Sequence, residues 1–293
     1  MVVPRAKSLG LGDVIVGECT KGWTRDQWVG HFRTRDYIGA SEVAAIMGLS
    51  PYAGPYTIWS RCTGRFAGQT DNRSMRMGRS IERFIIEEFA RETGLKVSPV
   101  PYVLRHRNVH ALGCNLDAGV FEVRPQGGQW GGELTATVDA KNVTFRLRRE
   151  FAHWAETGEV LADSSSETYA LQLHAHMAVT GVERAYLAVL CDRDLIVCQL
   201  ERDEDIAAWI ADFVDRWWAR HIEGDEAPTP NDADLDAAKN FVERTDTEIQ
   251  LPELEDLADR RFELKALIKA SAAEVDAIDA QIIAASDVAK RIW

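Results

Sequence analysis

Leu134-Thr135-Ala136-Thr137-Val138-Asp139-Ala140-Lys141 is the stretch on which the reading of this 293-residue chain turns. Strand residues alternate faces, so residues two apart share one. Leu134, Ala136, Val138 and Ala140 make an apolar side, and Thr135, Thr137, Asp139 and Lys141 a polar one. A half-buried strand therefore projects a carboxylate and an ammonium side by side. Alone, such a pair is an ordinary surface ion pair worth about 0–1 kcal/mol. Its surroundings give it meaning.

Upstream, Leu116–Val123 also reads as a strand. Gly127, Gly128, Gly131 and Gly132 lie between the two, which predicts a hairpin. Asp117 opens the earlier strand, so pairing lets Asp117 and Asp139 converge. Two convergent carboxylates with open positions suit Mg²⁺, a hard ion that prefers oxygen ligands. Lys141 can then orient or deprotonate a water and counter charge on a phosphate. Two helices add polar residues to apolar faces. Over about 74–93, ended by Gly94, Glu82 continues the stripe Ile85, Ile86, Phe89, so its carboxylate points inward and needs a partner. Over 167–180, closed by Gly181, Gln172 shares a face with Tyr169, Leu173, His176 and Thr180, in reach of Lys141 or a substrate phosphate.

Farther out, Ser41 stands where an N-cap would for a helix stopped by Gly48. Residues 56–63 predict a short helix. Tyr102–Arg107, Ala185–Leu190 and Leu195–Leu200 predict strands, and Glu204–Ile222 an amphipathic helix. Pro228 and Pro230 mark a boundary near Gly224. The expected division is an N-terminal segment 1–30, a catalytic domain 31–223 and an acidic helical extension 224–293. In that extension Leu254, Leu257, Arg261, Leu264, Ile268, Ser271, Val275, Ile278 and Ile282 alternate spacings of three and four, a heptad seam. It predicts a long helix needing a partner, either another chain or its own body.

Bulk properties narrow the function classes. No apolar run approaches the roughly 20 residues that span a bilayer, and the N-terminus lacks an h-region, so a cytoplasmic protein is expected. Cys19, Cys62, Cys114, Cys191 and Cys198 are scattered, with no C-x-x-C pair, which fits reduced thiols. His174 and His176 are two apart on a helix and face different sides, so they make no zinc pair. No phosphate-loop motif supports an ATP-driven motor. The net charge of −12 argues at first against nucleic acid, but residues 224–293 carry −9 of it. The remainder holds the basic clusters Arg73/Arg76/Arg79/Arg83, Arg105/His106/Arg107 and Lys141/Arg146/Arg148/Arg149.

In order, these features resemble the YqaJ and lambda-exonuclease family of viral recombination nucleases, within the PD-(D/E)XK superfamily. The resemblance runs from about Arg33 to His221. It rests on Ile38-Gly39-Ala40-Ser41-Glu42-Val43, Met77-Gly78-Arg79-Ser80-Ile81-Glu82, Asn115-Leu116-Asp117-Ala118-Gly119, Val138-Asp139-Ala140-Lys141 and Tyr169-Ala170-Leu171-Gln172-Leu173-His174. It implies an α/β, restriction-endonuclease-like core: a central mixed sheet flanked by helices, with the C-terminal helical extension appended. It implies that Asp117, Asp139 and the Ala140 carbonyl ligate Mg²⁺ or Mn²⁺, that Lys141 activates water, and that Glu82 and Gln172 support the site. Ser41, with Arg35 or Arg33, would hold a 5′ phosphate. The implied activity is 5′→3′ digestion of one strand of linear duplex DNA for recombination. A ring-shaped trimer, a single-strand annealing protein as partner, and a phage or prophage origin in a bacterial host follow in the same way. The chain departs from the family pattern in having Asp139 for Glu, an extra Ala118 before Gly119, and His174 for a second Gln. Two other readings stand beside this one: an endonuclease or Cas4-like nuclease on the same core, and an inactive DNA-binding or assembly module.

Overall fold

In chain order the elements are β1 (Ile15–Cys19), α1 (Arg25–Thr34), β2 (Ile38–Gly39), α2 (Val43–Ile46), α3 (Pro55–Cys62) and α4 (Arg73–Thr93). There follow β3 (Val97–Ser98), β4 (Tyr102–Arg105), β5 (Leu112–Asn115), β6 (Ala118–Val123) and β7 (Gly132–Val143). The remainder comprises α5 (Arg148–Thr157), α6 (Ser165–Thr180), β8 (Arg184–Cys191), β9 (Asp194–Glu201), α7 (Glu204–Trp218), α8 (Leu235–Phe241) and α9 (Glu255–Ala285). The structure, a computed structural model, describes residues 11, 14–65, 73–123, 132–241 and 254–285. The turn glycines 127, 128 and 131 lie outside them.

The expected single sheet is two mixed sheets. One has the order β3-β6-β7-β8-β9, the other β1-β4-β5-β2. In the first, β7 pairs antiparallel with β6, as the hairpin reading predicts, and parallel with β8. A parallel neighbour requires a crossover, and α5 and α6 make up most of it. On one face of this sheet, Ile85 and Phe89 of α4 pack on Ala118, Val120, Ala136, Val138, Ala140, Ala188 and Leu190. On the other, Phe151, Trp154, Leu173, Met177 and Val214 join Leu187 and Val189 in the larger core. Each such aliphatic or aromatic side chain contributes about 1.5–3 kcal/mol by burial.

The alternation expected of β7 breaks once. Val120 faces Ala136 but Phe121 faces Leu134, so Thr135 is an extra residue. A one-residue bulge reverses the side on which preceding residues point. Leu134 accordingly leaves the face of Ala136 and Val138 and joins the larger core. Gly119 makes room for it: a Cβ there would lie 2.3 Å from Leu134 Cδ1. Helix α6 begins at Ser164, whose side chain accepts from the Glu167 N–H, and stops at Gly181 with φ +74°. It is buried on nearly all sides, so it carries no clean polar face.

β5 was not anticipated. It is four residues long and contains Gly113, a residue usually depleted from strands. The glycine is required because a Cβ would lie 2.6 Å from the Tyr37 ring and 2.9 Å from the Leu104 carbonyl oxygen.

Contacts divide the chain into compact units Met1–Val242 and Glu243–Trp293. The first unit includes β1, which pairs with β4, so 15–30 is part of the body. It also extends past Gly224. Asp234, fully buried, accepts at Oδ1 from the Gly54 and Thr57 N–H groups and the Thr57 hydroxyl, at 2.9, 2.8 and 2.6 Å. Its Oδ2 accepts from the Tyr56 and Asn231 N–H groups. A carboxylate 180 residues away thus caps the start of α3. In the second unit α9 is helical as expected, and its described side chains are exposed. No helix among the described residues is long and apolar enough to cross a membrane.

Candidate active site

The chain crosses from one sheet to the other between β5 and β6, at Leu116 and Asp117. The structure therefore places Asp117 in this crossover, ahead of the strand it was expected to open. β6 begins opposite Val138, so β7 runs on past it without that neighbour. A freed backbone N–H in a folded interior needs an acceptor. Asp117 provides one: its Oδ2 accepts from the Ala140 N–H at 2.9 Å. This bond sets Asp117 beside the residue that follows Asp139. The strand end and the sheet crossover thereby bring the two carboxyl groups to one floor.

Asp139 is 2% exposed. Its Oδ1 accepts from Gln172 Nε2 at 2.8 Å. Its Oδ2 forms an ion pair with the Lys141 ammonium. Gln172 thus holds Asp139 rather than Lys141, because α6 crosses the polar face of β7 with Gln172 above the carboxylate. The Lys141 ammonium also lies 5.6 Å from the centre of the Tyr169 ring, one turn earlier on α6. Ala140 points its side chain to the opposite face, into the α4 core.

Glu82, Asp117, Asp139, Lys141, Gln172 and His176 line one cleft of about 660 Å³. Its electrostatics are strained. Burial raises the Asp117 carboxyl well above the ordinary range, and the Asp139 charge raises it further; Lys141 opposes both. Burial likewise raises Glu82, against the pull of Lys141 and with the push of Asp139. Burial lowers the affinity of Lys141 for its proton, but Asp139 and Asp117 outweigh it, so its pKa rises. Lys141 stays an ammonium. His176, almost fully buried, is pushed down to about 4 by burial and is neutral at physiological pH.

Among the described residues, no group of three or more His, Cys, Asp and Glu side chains could by itself hold a metal ion. The oxygen donors lining the cleft include the two aspartates and Glu82. They still fit a hard divalent cation, which keeps several waters and takes one or two carboxylates from the protein. The two carboxylates share the single ammonium of Lys141 on the cleft floor, and the raised carboxyl of Asp117 is the sign of a site that can take further positive charge.

Arg35, Ser41 and Arg79 line the same cleft, with Thr20, Trp23 and Trp28, and Arg79 acts on Glu82 one turn along α4. Ser41 is not the N-cap expected of it. Gly39 holds that position, and Glu42 reaches back to accept from the Gly39 N–H at 3.1 Å. Ser41 is the second residue of a 3₁₀ turn (Ala40–Glu42) that runs into the single turn of α2, and it is exposed. Arg35, just beyond α1, is paired with Glu42. Burial disfavours its charge, but Glu42 outweighs that and raises its pKa. Arg33 lies on α1, and its side chain is outside the described residues. Tyr169, His176, Trp23 and Trp28 also line the cleft or face Lys141, and no sequence motif gives them a role. Tyr169 and His176 share the Gln172 face at helical spacing, a signal that was present. The tryptophans are remote in sequence and carried none.

Residues 27–183 match the YqaJ-like viral recombinase domain. The chain is 25% identical over 209 residues to the uncharacterized protein YqaJ of Bacillus subtilis (strain 168), covering 70% of this chain. It spans about three fifths of that relative's length, 59%. Among solved structures, LHK-Exo in complex with dAMP superposes with a TM-score of 0.51 at 19% identity, covering 74% of this chain and 99% of that one. The alkaline exonuclease LHK-Exo from Laribacter hongkongensis gives 0.49 at 20% identity, covering 73% and 97%. The first superposition identifies the fold as the restriction-endonuclease-like type expected of the sequence.

Proposed function

The chain belongs to the YqaJ-like viral recombinase family, and on that premise we propose that it is a divalent-metal-dependent deoxyribonuclease, a 5′→3′ exonuclease on the ends of linear duplex DNA. The observation that carries this is the bonded set on the cleft floor: Asp117 to the Ala140 N–H, and Gln172 to Asp139 to Lys141. LHK-Exo, of like fold, is described as an alkaline exonuclease and has been crystallised with dAMP, which supports a nuclease role for this cleft.

In this reading Asp117 and Asp139, with the Ala140 carbonyl, hold Mg²⁺ or Mn²⁺, and Glu82 supports the site from α4. When bound, the cation supplies Lewis acidity and a more acidic water. Gln172 fixes the rotamer of Asp139. Lys141, held as an ammonium, donates hydrogen bonds to the attacking water and to a scissile phosphate oxygen and offsets the charge that builds there. His176 is neutral and adds no charge. Ser41, Arg35 and Arg33 receive the 5′ phosphate of the strand end, with Arg35 sharing its charge with Glu42. A trimer around the duplex, a single-strand annealing partner and action in a bacterial cytoplasm, from a phage or prophage, complete the proposal.

The test is digestion of end-labelled linear duplexes with and without Mg²⁺ and with and without 5′ phosphate, beside a closed circle. Linear DNA with a 5′ phosphate is degraded from that end, and the circle is spared. Asp139→Ala and Lys141→Ala each lower the rate by about a hundredfold to a thousandfold, with an unchanged far-UV spectrum. A wild type that degrades no duplex overturns the reading, and cutting of the circle overturns its exonuclease form.

A further inference from the structure

Helix α9 carries the motif that a nuclease site leaves unused. Its described side chains are exposed, among them Leu257, Leu264, Ile268, Val275, Ile278 and Ile282. With Arg261 and Ser271 these make the heptad seam. An apolar seam about 38 Å long is a surface that gains from being covered.

Charge indicates by what. Residues 260–269 hold Arg260, Arg261, Lys265 and Lys269 against Glu263, net +3, whereas residues 270–279 hold Glu274, Asp276 and Asp279, net −3. A second α9 laid parallel and in register sets +3 on +3 and −3 on −3. Laid antiparallel, with the twofold axis between residues 269 and 270, it sets each block on its opposite. The same register keeps the seam in step. Leu257 meets Ile282 of a second copy, Leu264 meets Val275, and Ile268 meets Ser271. Arg261 meets Ile278, where its aliphatic stem covers the isoleucine and its head lies within the acidic block. One alignment thus satisfies both the apolar layers and the charge blocks.

We propose that α9 is a self-association helix, which pairs antiparallel with α9 of a second copy of this chain. The contact is independent of whatever assembly the rest of the chain makes, and it adds an association step of its own.

Sedimentation equilibrium of the full-length chain, at low and high salt, tests this. Ile268→Asp removes the step, raising its Kd by more than about tenfold, a change of 1.4 kcal/mol. Lys265→Glu with Lys269→Glu turns the basic block to −1 and weakens pairing by a similar factor at low salt, less at high salt. Adding Glu274→Lys and Asp279→Lys turns the acidic block to +1 and restores pairing, since only an antiparallel pair sets the two blocks against each other. A wild type with no step sensitive to Ile268→Asp overturns the proposal, and α9 is then covered by its own chain or by another protein. Failure of the four-residue variant to regain association overturns the antiparallel arrangement.

Discussion

Asp117 uses one oxygen on the Ala140 N–H, and Asp139 uses one on Gln172. Asp117 is positioned by a neutral donor, and Asp139 by a neutral donor and the Lys141 ammonium, so two carboxylates share one cation. Their surplus charge is costly without a further cation. Because the folded Asp117 carboxyl is raised above its ordinary 3.8, the stability linked to its proton is present below that value and is lost as pH rises through the folded one. In metal-free protein at neutral pH, Asp117→Asn therefore raises the urea midpoint, by about 1 kcal/mol of stability as at other strained functional sites. The gain shrinks below about pH 4, where both states hold the proton, and a wild type as stable as the variant at pH 7 refutes it. Gln172→Leu removes only the brace on Asp139. It lowers activity by about 10–100-fold, as loss of an outer-sphere partner does, and raises the Mg²⁺ concentration needed for half-maximal rate. Burial pushes Cys62 and Cys198 up to about 12 and also raises Cys114 and Cys191. Exposed Cys19 is expected to react alone with a disulfide reagent at pH 8, the other four only after denaturation.

Elements differ in how much of their structure is set by local signals. α4, α6 and α7 and the β6–β7 hairpin were legible because period and end signals agree in them: Gly94 and Gly181 stop α4 and α6 with φ near +70°. The start of α3 shows what local signals omit. Its cap is Asp234, brought in from beyond an apparent domain boundary. Gly54 is obligatory beside it, since a Cβ would fall 2.3 Å from Asp234 Oδ2. Asp234→Ala orphans several buried donors at once and costs about 2–4 kcal/mol, read as a lower urea midpoint with unchanged slope. A midpoint equal to wild type would deny the cap its structural role. The β7 bulge belongs to the same class. Thr135 has no turn chemistry of its own, and its displacement follows from pairing with β6.

For the whole molecule, the break after Val242 separates two units of different character. The first has a continuous core on both sides of the five-stranded sheet; the second presents a long exposed helix. A chain ending at Val242 is expected to melt within about 2 °C of the full-length protein, because a change well under 1 kcal/mol moves a domain of this size by no more than that. A chain ending at Glu223 loses Asp234 and melts lower by several degrees. Calorimetry of the two truncations decides this, and equal melting would return the boundary to Gly224. The cleft also sits within the first unit, so the shorter of the two stable forms is expected to keep the metal response of the intact chain.

By itself, the sequence determined the mixed α/β class, the face of β7 that carries Asp139 and Lys141, the inward direction of Glu82 and the seam of α9. These depend on period alone, and period is a local property of backbone geometry. Tertiary structure decided that the sheet is two sheets, that Asp117 stands in the crossover between them, that Gln172 grips Asp139, and that Ser41 gives up the cap to Gly39. Each of these depends on which distant donor meets which acceptor once the chain is packed. A buried polar group takes the partner that the fold brings within about 3 Å, and sequence distance does not measure that.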